Sequence, residues 1–251
     1  MNIVCPMAGA GSRFKISGWN KPKPLYEVGG CPMIKRVVEN LLKQIGYDKV
    51  DSFVAIARED QYDEIKSVFF NDLRWHGITP KLIPVSGVTR GAVETVMAAE
   101  LVLDKNDSLL TMNCDQLIWG DFSPLFDASN NALGITGIIQ TIQRNLPSYS
   151  YVKIDTHGDV KRVVEKEVIS NDATTGLYFW TKGYDFFTYA KKMISENITS
   201  RGEFYIAPMY QLMINEGHRI TTFPAKEMCA LGTPDEIRNF ERLMYDNFTH
   251  K

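Results

Sequence analysis

The chain has 251 residues, 44% of them hydrophobic and 23% charged, with a formal net charge of -2. That composition is globular and long enough for a full core, and the near-neutral balance excludes a broad basic field for nucleic acid or a membrane surface as the main partner. Cys5, Cys31, Cys114 and Cys229 are scattered through apolar stretches without a CxxC pair, which predicts buried free thiols; no run approaches the ~20 apolar residues of a membrane span, and no basic region precedes the N-terminal apolar run, so a cytoplasmic chain is expected.

Residues 2–7 form an apolar run ending in Gly9-Ala10-Gly11-Ser12, the pattern of a strand feeding a glycine-rich loop. A helix is predicted over 32–45, where Met33, Ile34, Val37, Val38, Leu41, Leu42 and Ile45 recur at helical spacing before the stop at Gly46. A buried strand follows over Val50–Ala57, then an amphipathic helix over 59–74, a short strand over 81–85 and a helix from Ala92 to Leu103. Ser108–Met112 reads as another apolar strand, ending in Asn113-Cys114-Asp115. This alternation predicts a parallel sheet with helices on its faces. Ligands of such sheets bind at the C-terminal ends of the strands, where both the glycine loop and Asp115 fall. The second half predicts strands over 133–140, 151–155, 160–165 and 174–180, with His157-Gly158-Asp159 as a hairpin turn, and helices over 183–196, 204–216 and 234–247. No repeat or linker divides the chain, so residues 1–251 are expected to form one α/β domain with a mixed sheet.

Two groups of residues suit phosphate chemistry. In Met7-Ala8-Gly9-Ala10-Gly11-Ser12-Arg13-Phe14 the glycines let backbone amides close around phosphate oxygens, and Arg13 adds a planar cationic fork. A dinucleotide fingerprint would want a third glycine at Phe14 with a helix beginning at once, and Gly18, Pro22 and Pro24 interrupt one; the Gly-Lys-Ser/Thr of a Walker loop is absent. In Lys21-Pro22-Lys23-Pro24-Leu25 the prolines predict a stiff extended segment presenting two lysines. A fixed lysine facing the loop would neutralise charge building on a transferred phosphoryl group.

These motifs occur in a fixed order. Gly-x-Gly-Ser-Arg, Pro-Lys-Pro-Leu and Val28-Gly29-Gly30-Cys31-Pro32-Met33-Ile34 are followed by Gly91-Ala92-Val93-Glu94-Thr95, Asn113-Cys114-Asp115, Glu165-Lys166 with Ser170-Asn171, and Thr175-Gly176-Leu177-Tyr178-Phe179. Gly202-Glu203-Phe204-Tyr205-Ile206 and Leu231-Gly232-Thr233-Pro234 complete the series. The set resembles the sugar-phosphate nucleotidyltransferases along nearly the whole chain, the glucose-1-phosphate thymidylyltransferases in particular. That resemblance implies a Rossmann-like three-layer α/β/α domain with a mixed, mostly parallel sheet, and transfer of a nucleoside monophosphate from an NTP to a phosphorylated small-molecule acceptor, releasing pyrophosphate. Residue by residue, it implies that backbone from Met7 through Ala8, Gly9, Ala10, Gly11 and Ser12 holds the triphosphate. Gly91 would start the helix beside the base, Arg13 would contact the outer phosphates, and Lys23 would sit at the reacting centre. Asp115 would bind Mg²⁺, Glu165 and Gly176 would meet the acceptor, and Lys166 would grip the acceptor's phosphate. The acceptor phosphate, with a second pKa near 6, is already an anionic nucleophile, so no general base is required.

One position departs from the pattern. The thymidylyltransferases carry an Asp two residues before Gly-Thr as a second metal ligand, and Ala230 stands there. One carboxylate suffices here, another acid substitutes, or the chain is an inactive nucleotide-binding module. The Leu-Gly-Thr-Pro form with Asn-Cys-Asp-Gln resembles a compact subgroup from capsule and surface-polysaccharide loci, which includes CTP:phosphoglutamine cytidylyltransferases. It therefore implies a cytidylyltransferase with CTP as donor and a sugar phosphate or phosphoglutamine-like acceptor. A nucleotide-sugar glycosyltransferase would want Asp-x-Asp, and Asn113-Cys114-Asp115 supplies a single acid. The oligomeric state is left open, a homo-oligomer included.

Overall fold

The computed structural model describes residues 1–129 and 134–249. The chain begins with β1 (Asn2–Pro6) and a short α1 (Ser12–Ile16), followed by a small antiparallel pair, β2 (Glu27–Val28) and β3 (Cys31–Pro32). Next come α2 (Met33–Ile45), β4 (Ser52–Arg58), α3 (Tyr62–Ser67), β5 (Thr79–Val85), α4 (Ala92–Met97) and β6 (Leu109–Thr111). The second half contains β7 (Gln116–Gly120), α5 (Ser123–Ser129), β8 (Ile135–Gln143), β9 (Ser150–Ile154), β10 (Val160–Glu165), β11 (Asp172–Trp180), α6 (Gly183–Ser195), α7 (Ala207–Asn215), β12 (Arg219–Ala230) and α8 (Pro234–Thr249).

Ten strands form one mixed sheet ordered β5-β4-β1-β6-β11-β8-β12-β7, with the β9–β10 hairpin packed beside β11. The run from β5 to β6 is parallel, as is the β8–β12 pair. β11 enters between β6 and β8, antiparallel to both: Tyr178–Trp180 pair with Leu109–Thr111 on one side and with Gly137–Ile139 on the other. Alternate residues of the central strands feed two cores. Ile3, Phe53 and Ala55 pack toward α2, α3 and α5, while Val4, Val54 and Ile56 pack toward α4, α6 and α7. This is the expected three-layer α/β/α arrangement. β1 has β4 on one side and β6 on the other, so the connections leaving its edge diverge and open a crevice at the C-terminal ends of β1 and β6.

α2 follows its sequence pattern closely. Its seven periodic apolar residues are all buried, and Gly46, at φ +94, ends it. Elsewhere the local structure differs from expectation for identifiable reasons. The helical stretch at 59–74 is three pieces, a 3₁₀ turn at Glu59–Gln61, α3, and a π-helical turn at Val68–Asp72. The helix expected to reach Leu103 stops at Met97, and the chain continues in tighter turns in which Ala98, Ala99 and Glu100 donate to residues three back. Ala99 still reaches the core from those turns, so the apolar spacing outruns the helix. The last-half helix expected from 204 starts at Ala207, because the Phe204 amide donates to the Arg90 carbonyl. The strand expected to open at 133 runs from Ile135, residue 133 lying outside the described residues. β7, α5 and the long β12 were not foreseen; β12 is buried unevenly, so its sequence lacks clean alternation. All four thiols are free, but only Cys5 and Cys114 are buried; Cys31 and Cys229 are half-exposed. Among the described residues no helix is long and apolar enough to cross a membrane.

Candidate active site

The chain leaves β1 at Pro6, and Gly11 (φ +64) caps α1, which does begin immediately but ends after five residues. The amides of Gly9, Ala10 and Gly11 donate to no acceptor among the described residues. Such a row of open amides is an anion-binding surface. Arg13 leans over the same space, with Nη1 3.5 Å from the Gly232 carbonyl.

The two prolines do not keep Lys21–Leu25 fully extended. Lys23–Leu25 close a 3₁₀ turn in which the Leu25 amide donates to the Pro22 carbonyl and the Tyr26 amide to that of Lys23. The turn points Lys23 inward, with Nζ 2.5 Å from Asp115 Oδ2 and 5.4 Å from the centroid of the Phe14 ring. Burial alone would lower the Lys23 pKa, but the neighbouring Asp115 charge and hydrogen bond outweigh it and hold the ammonium above its usual range. The ammonium is therefore secured as a cation at neutral pH.

On the far wall β10 ends at Glu165, which accepts a hydrogen bond from Ser150 Oγ. Burial dominates there and pushes the Glu165 pKa up, against the Ser150 hydrogen bond and the Lys166 charge. Lys166 adopts φ +56, a left-handed conformation uncommon outside glycine, and its amide donates to the Tyr149 carbonyl. Its Nζ donates to the Tyr205 hydroxyl, stands 4.1 Å from that ring's centroid and 4.0 Å from Glu165 Oε1. Strain of this kind persists where surrounding contacts fix a side chain for use. Gly176 lets β11 approach the end of β6; a Cβ there would collide with Asn113 Nδ2 and stand 2.8 Å from Gln116 Nε2.

Met7, Gly9, Ala10, Gly11, Ser12, Arg13, Lys23, Asp115, Glu165, Lys166 and Gly176 all line one open cleft of about 640 Å³. Two expected residues are off its wall. Ala8 is 2% exposed, its side chain turned into the core. Gly91 stands one residue behind Ala92, which does line the cleft, and packs against the Phe204 backbone. Tyr205, Ser150 and Glu236 also face the cleft, and the sequence motifs assign them no role. Tyr205 belongs to the Gly202-Glu203-Phe204-Tyr205-Ile206 motif, but only the folded chain brings it under Lys166.

The region around Asp115 suits a hard divalent cation, which takes oxygen ligands and keeps several waters. The Leu231 amide donates to the Asp115 carbonyl, bringing Gly232 alongside. A Cβ on Gly232 would stand 3.3 Å from Asp115 Oδ2, so the missing side chain leaves room beside the carboxylate. Among the described residues no group of three or more His, Cys, Asp and Glu is placed to hold a metal ion. A cation beside Asp115 would therefore complete its shell with phosphate oxygens and water.

The bifunctional protein GlmU of Helicobacter pylori is 24% identical over 241 residues, covering 92% of this chain and 51% of its own length. The chain thus spans about half the length of the curated relatives it matches. The crystal structure of the nucleoside-diphosphate-sugar pyrophosphorylase from Vibrio cholerae RC9 superposes with a TM-score of 0.81 at 26% identity, covering 96% of this chain and 99% of that one. The inositol-1-phosphate CTP transferase from T. maritima shares the fold, with a TM-score of 0.74 at 17% identity over 97% of this chain and 94% of its own. Residues 7–245 match the sequence model of the nucleotidyl transferase family, and with the match running from the glycine loop to α8, the chain belongs to that family.

Proposed function

We propose that the chain, acting as a single cytoplasmic domain, is a Mg²⁺-dependent cytidylyltransferase of capsule or surface-polysaccharide synthesis. It moves CMP from CTP to a phosphorylated small molecule, a sugar phosphate or a phosphoglutamine-like acceptor, and releases pyrophosphate. The observation that carries the reading is a single cleft with open amides and Arg13 on one wall, Lys166 and Glu165 on the other, and Lys23 with Asp115 between them. Two anionic groups can meet there only if their repulsion is neutralised, and the cations are arranged for that.

The amides after β1 and Arg13 bind the triphosphate; Lys166 binds the acceptor phosphate, and Glu165 accepts from an acceptor hydroxyl or amine. An acceptor oxygen attacks the α-phosphorus in line, the bond to the bridging oxygen breaks, and pyrophosphate carries away the charge. Lys23 exchanges part of its contact with Asp115 for phosphate oxygens as charge builds, so the protein acts by positioning and preorganised charge. Mg²⁺ held by Asp115 would supply further charge neutralisation on those oxygens. Among the described residues no histidine lines the cleft, and the anionic acceptor needs no base.

The pyrimidine preference rests on the Asn113-Cys114-Asp115-Gln116 and Leu231-Gly232-Thr233-Pro234 motifs, with a CTP transferase among proteins of the same fold as an analogy. The test is pyrophosphate release with each of four NTPs against sugar 1-phosphates, phosphocholine and phosphoglutamine. CTP is expected to support the fastest release, and a purine NTP outcompeting every pyrimidine NTP would reject the donor assignment. Ala230 favours a second reading, a nucleotide-binding module without turnover, which predicts NTP binding and no pyrophosphate from any pair.

A further inference from the structure

We infer that Glu236 is the second carboxylate of the cation site, taking the part that Ala230 cannot; this rests on the nucleotidyltransferase reading above. Glu236 lies in the first turn of α8 and lines the same cleft as Asp115. A Cβ on Gly232 would stand 3.4 Å from Glu236 Oε2, just as it would stand 3.3 Å from Asp115 Oδ2. The two oxygens therefore face the same gap beside Gly232 and are no farther apart than the sum of those distances. A separation within that bound admits a cation held by one carboxylate directly and by the other directly or through a water of its shell.

Charge favours the same assignment. Asp115 already pairs with Lys23, and Arg13 Nη1 lies 3.7 Å from the same Gly232 position. Lys23, Arg13 and Asp115 alone would leave the spot with a net positive charge, hostile to a metal ion. Glu236 brings it to zero before any phosphate arrives.

Helix capping does not account for the side chain. In a capping box the acidic residue accepts from the backbone amide of the residue that starts the helix. Here the Glu236 amide donates to Thr233 Oγ1 (3.2 Å), but the Glu236 carboxylate accepts from the Thr233 hydroxyl (3.1 Å) and from no backbone amide. Its Oε1 has no partner among the described residues. Thr233 thus orients Glu236 toward the cleft and leaves one oxygen open.

The test is Mn²⁺ binding, followed by the loss of the free-ion EPR signal, in the full-length chain without nucleotide. Glu236→Gln keeps the size and an acceptor for Thr233 but removes the charge. It is expected to weaken Mn²⁺ binding about 10- to 100-fold, the range for supporting ligands of metal sites, with melting temperature unchanged. It should also raise the Mg²⁺ concentration needed for half-maximal pyrophosphate release. Glu236→Ala gives the same metal readout with the cap contact removed as well. Asp115→Asn is the control. If Asp115→Asn abolishes Mn²⁺ binding while both Glu236 variants bind within twofold of wild type, Glu236 has no such role and the Asp115 site stands. If none of the three changes binding, or the wild type binds no Mn²⁺ at millimolar concentration, both the inference and the cation site fall.

Discussion

Replacing Gly91 with alanine should be among the most damaging single-methyl additions to this chain. Gly91 has φ +138 and ψ 176, a region of backbone space occupied essentially by glycine alone, where another residue costs about 1–3 kcal/mol. The added methyl would also stand 2.6 Å from both the amide nitrogen and the carbonyl oxygen of Phe204, and 2.9 Å from its carbonyl carbon. These are backbone atoms, and they are tied down: the Phe204 amide donates to Arg90 and its carbonyl accepts from Val93. No rotamer change relieves such a contact, so overpacking adds roughly 1–3 kcal/mol. A total of about 3 kcal/mol lowers the melting temperature of a chain this size by roughly 6–12 °C. Gly87→Ala is the matched control, since Gly87 has φ +68 but nothing within 4 Å of an added Cβ. Urea unfolding followed by circular dichroism compares the two. Because Tyr205 follows Phe204 and holds Lys166, Gly91→Ala should also raise the KM for acceptor. Equal stability loss in Gly91→Ala and Gly87→Ala would refute the steric argument.

Three further outcomes are expected. Lys23→Ala and Asp115→Asn should each lower turnover at least ~10²-fold, as for loss of one preorganised charge; turnover within a few-fold of wild type would remove that residue from the reacting centre. Tyr205→Phe keeps the ring under Lys166 and deletes the hydroxyl it donates to, so acceptor KM should rise several-fold with kcat little changed; a kcat loss alone would contradict a positioning role. Burial raises the Glu165 pKa above its ordinary 4.5, so the stability linked to its proton is full below that value and is lost as pH rises through the folded-state pKa. Wild type should therefore lose melting temperature relative to Glu165→Gln as pH rises above 4.5, and a difference that stays constant with pH would show that Glu165 ionises without penalty.

What was legible in the sequence followed from periodicity and punctuation. The seven apolar residues of α2 and its stop at Gly46 could be read directly, because a one-sided helix on a sheet leaves that spacing. The strand-end positions of the glycine loop and Asp115 were legible for the same reason, since β1 and β6 are continuous buried runs. β12 escaped because its residues pass from a parallel pairing with β8 to an antiparallel one with β7, facing core, solvent and cleft in turn. Tyr205 and Glu236 escaped because their meaning is relational. One matters through Lys166, 39 residues away in sequence, and the other through a gap beside Asp115 that a glycine keeps open.

The seat of β11 also orders the chain in time. β6 finds its second neighbour only when Tyr178–Trp180 have been made, and that neighbour must also pair with Gly137–Ile139. During synthesis the nascent glycine loop and Asp115 therefore sit on a sheet whose β6 edge is raw until the acceptor-side strands emerge. An unpaired edge is a template for association with other chains. A message cut short before residue 178 would thus yield a nucleotide-side fragment inclined to self-associate, so the two walls of the cleft stand or fall as one product of translation.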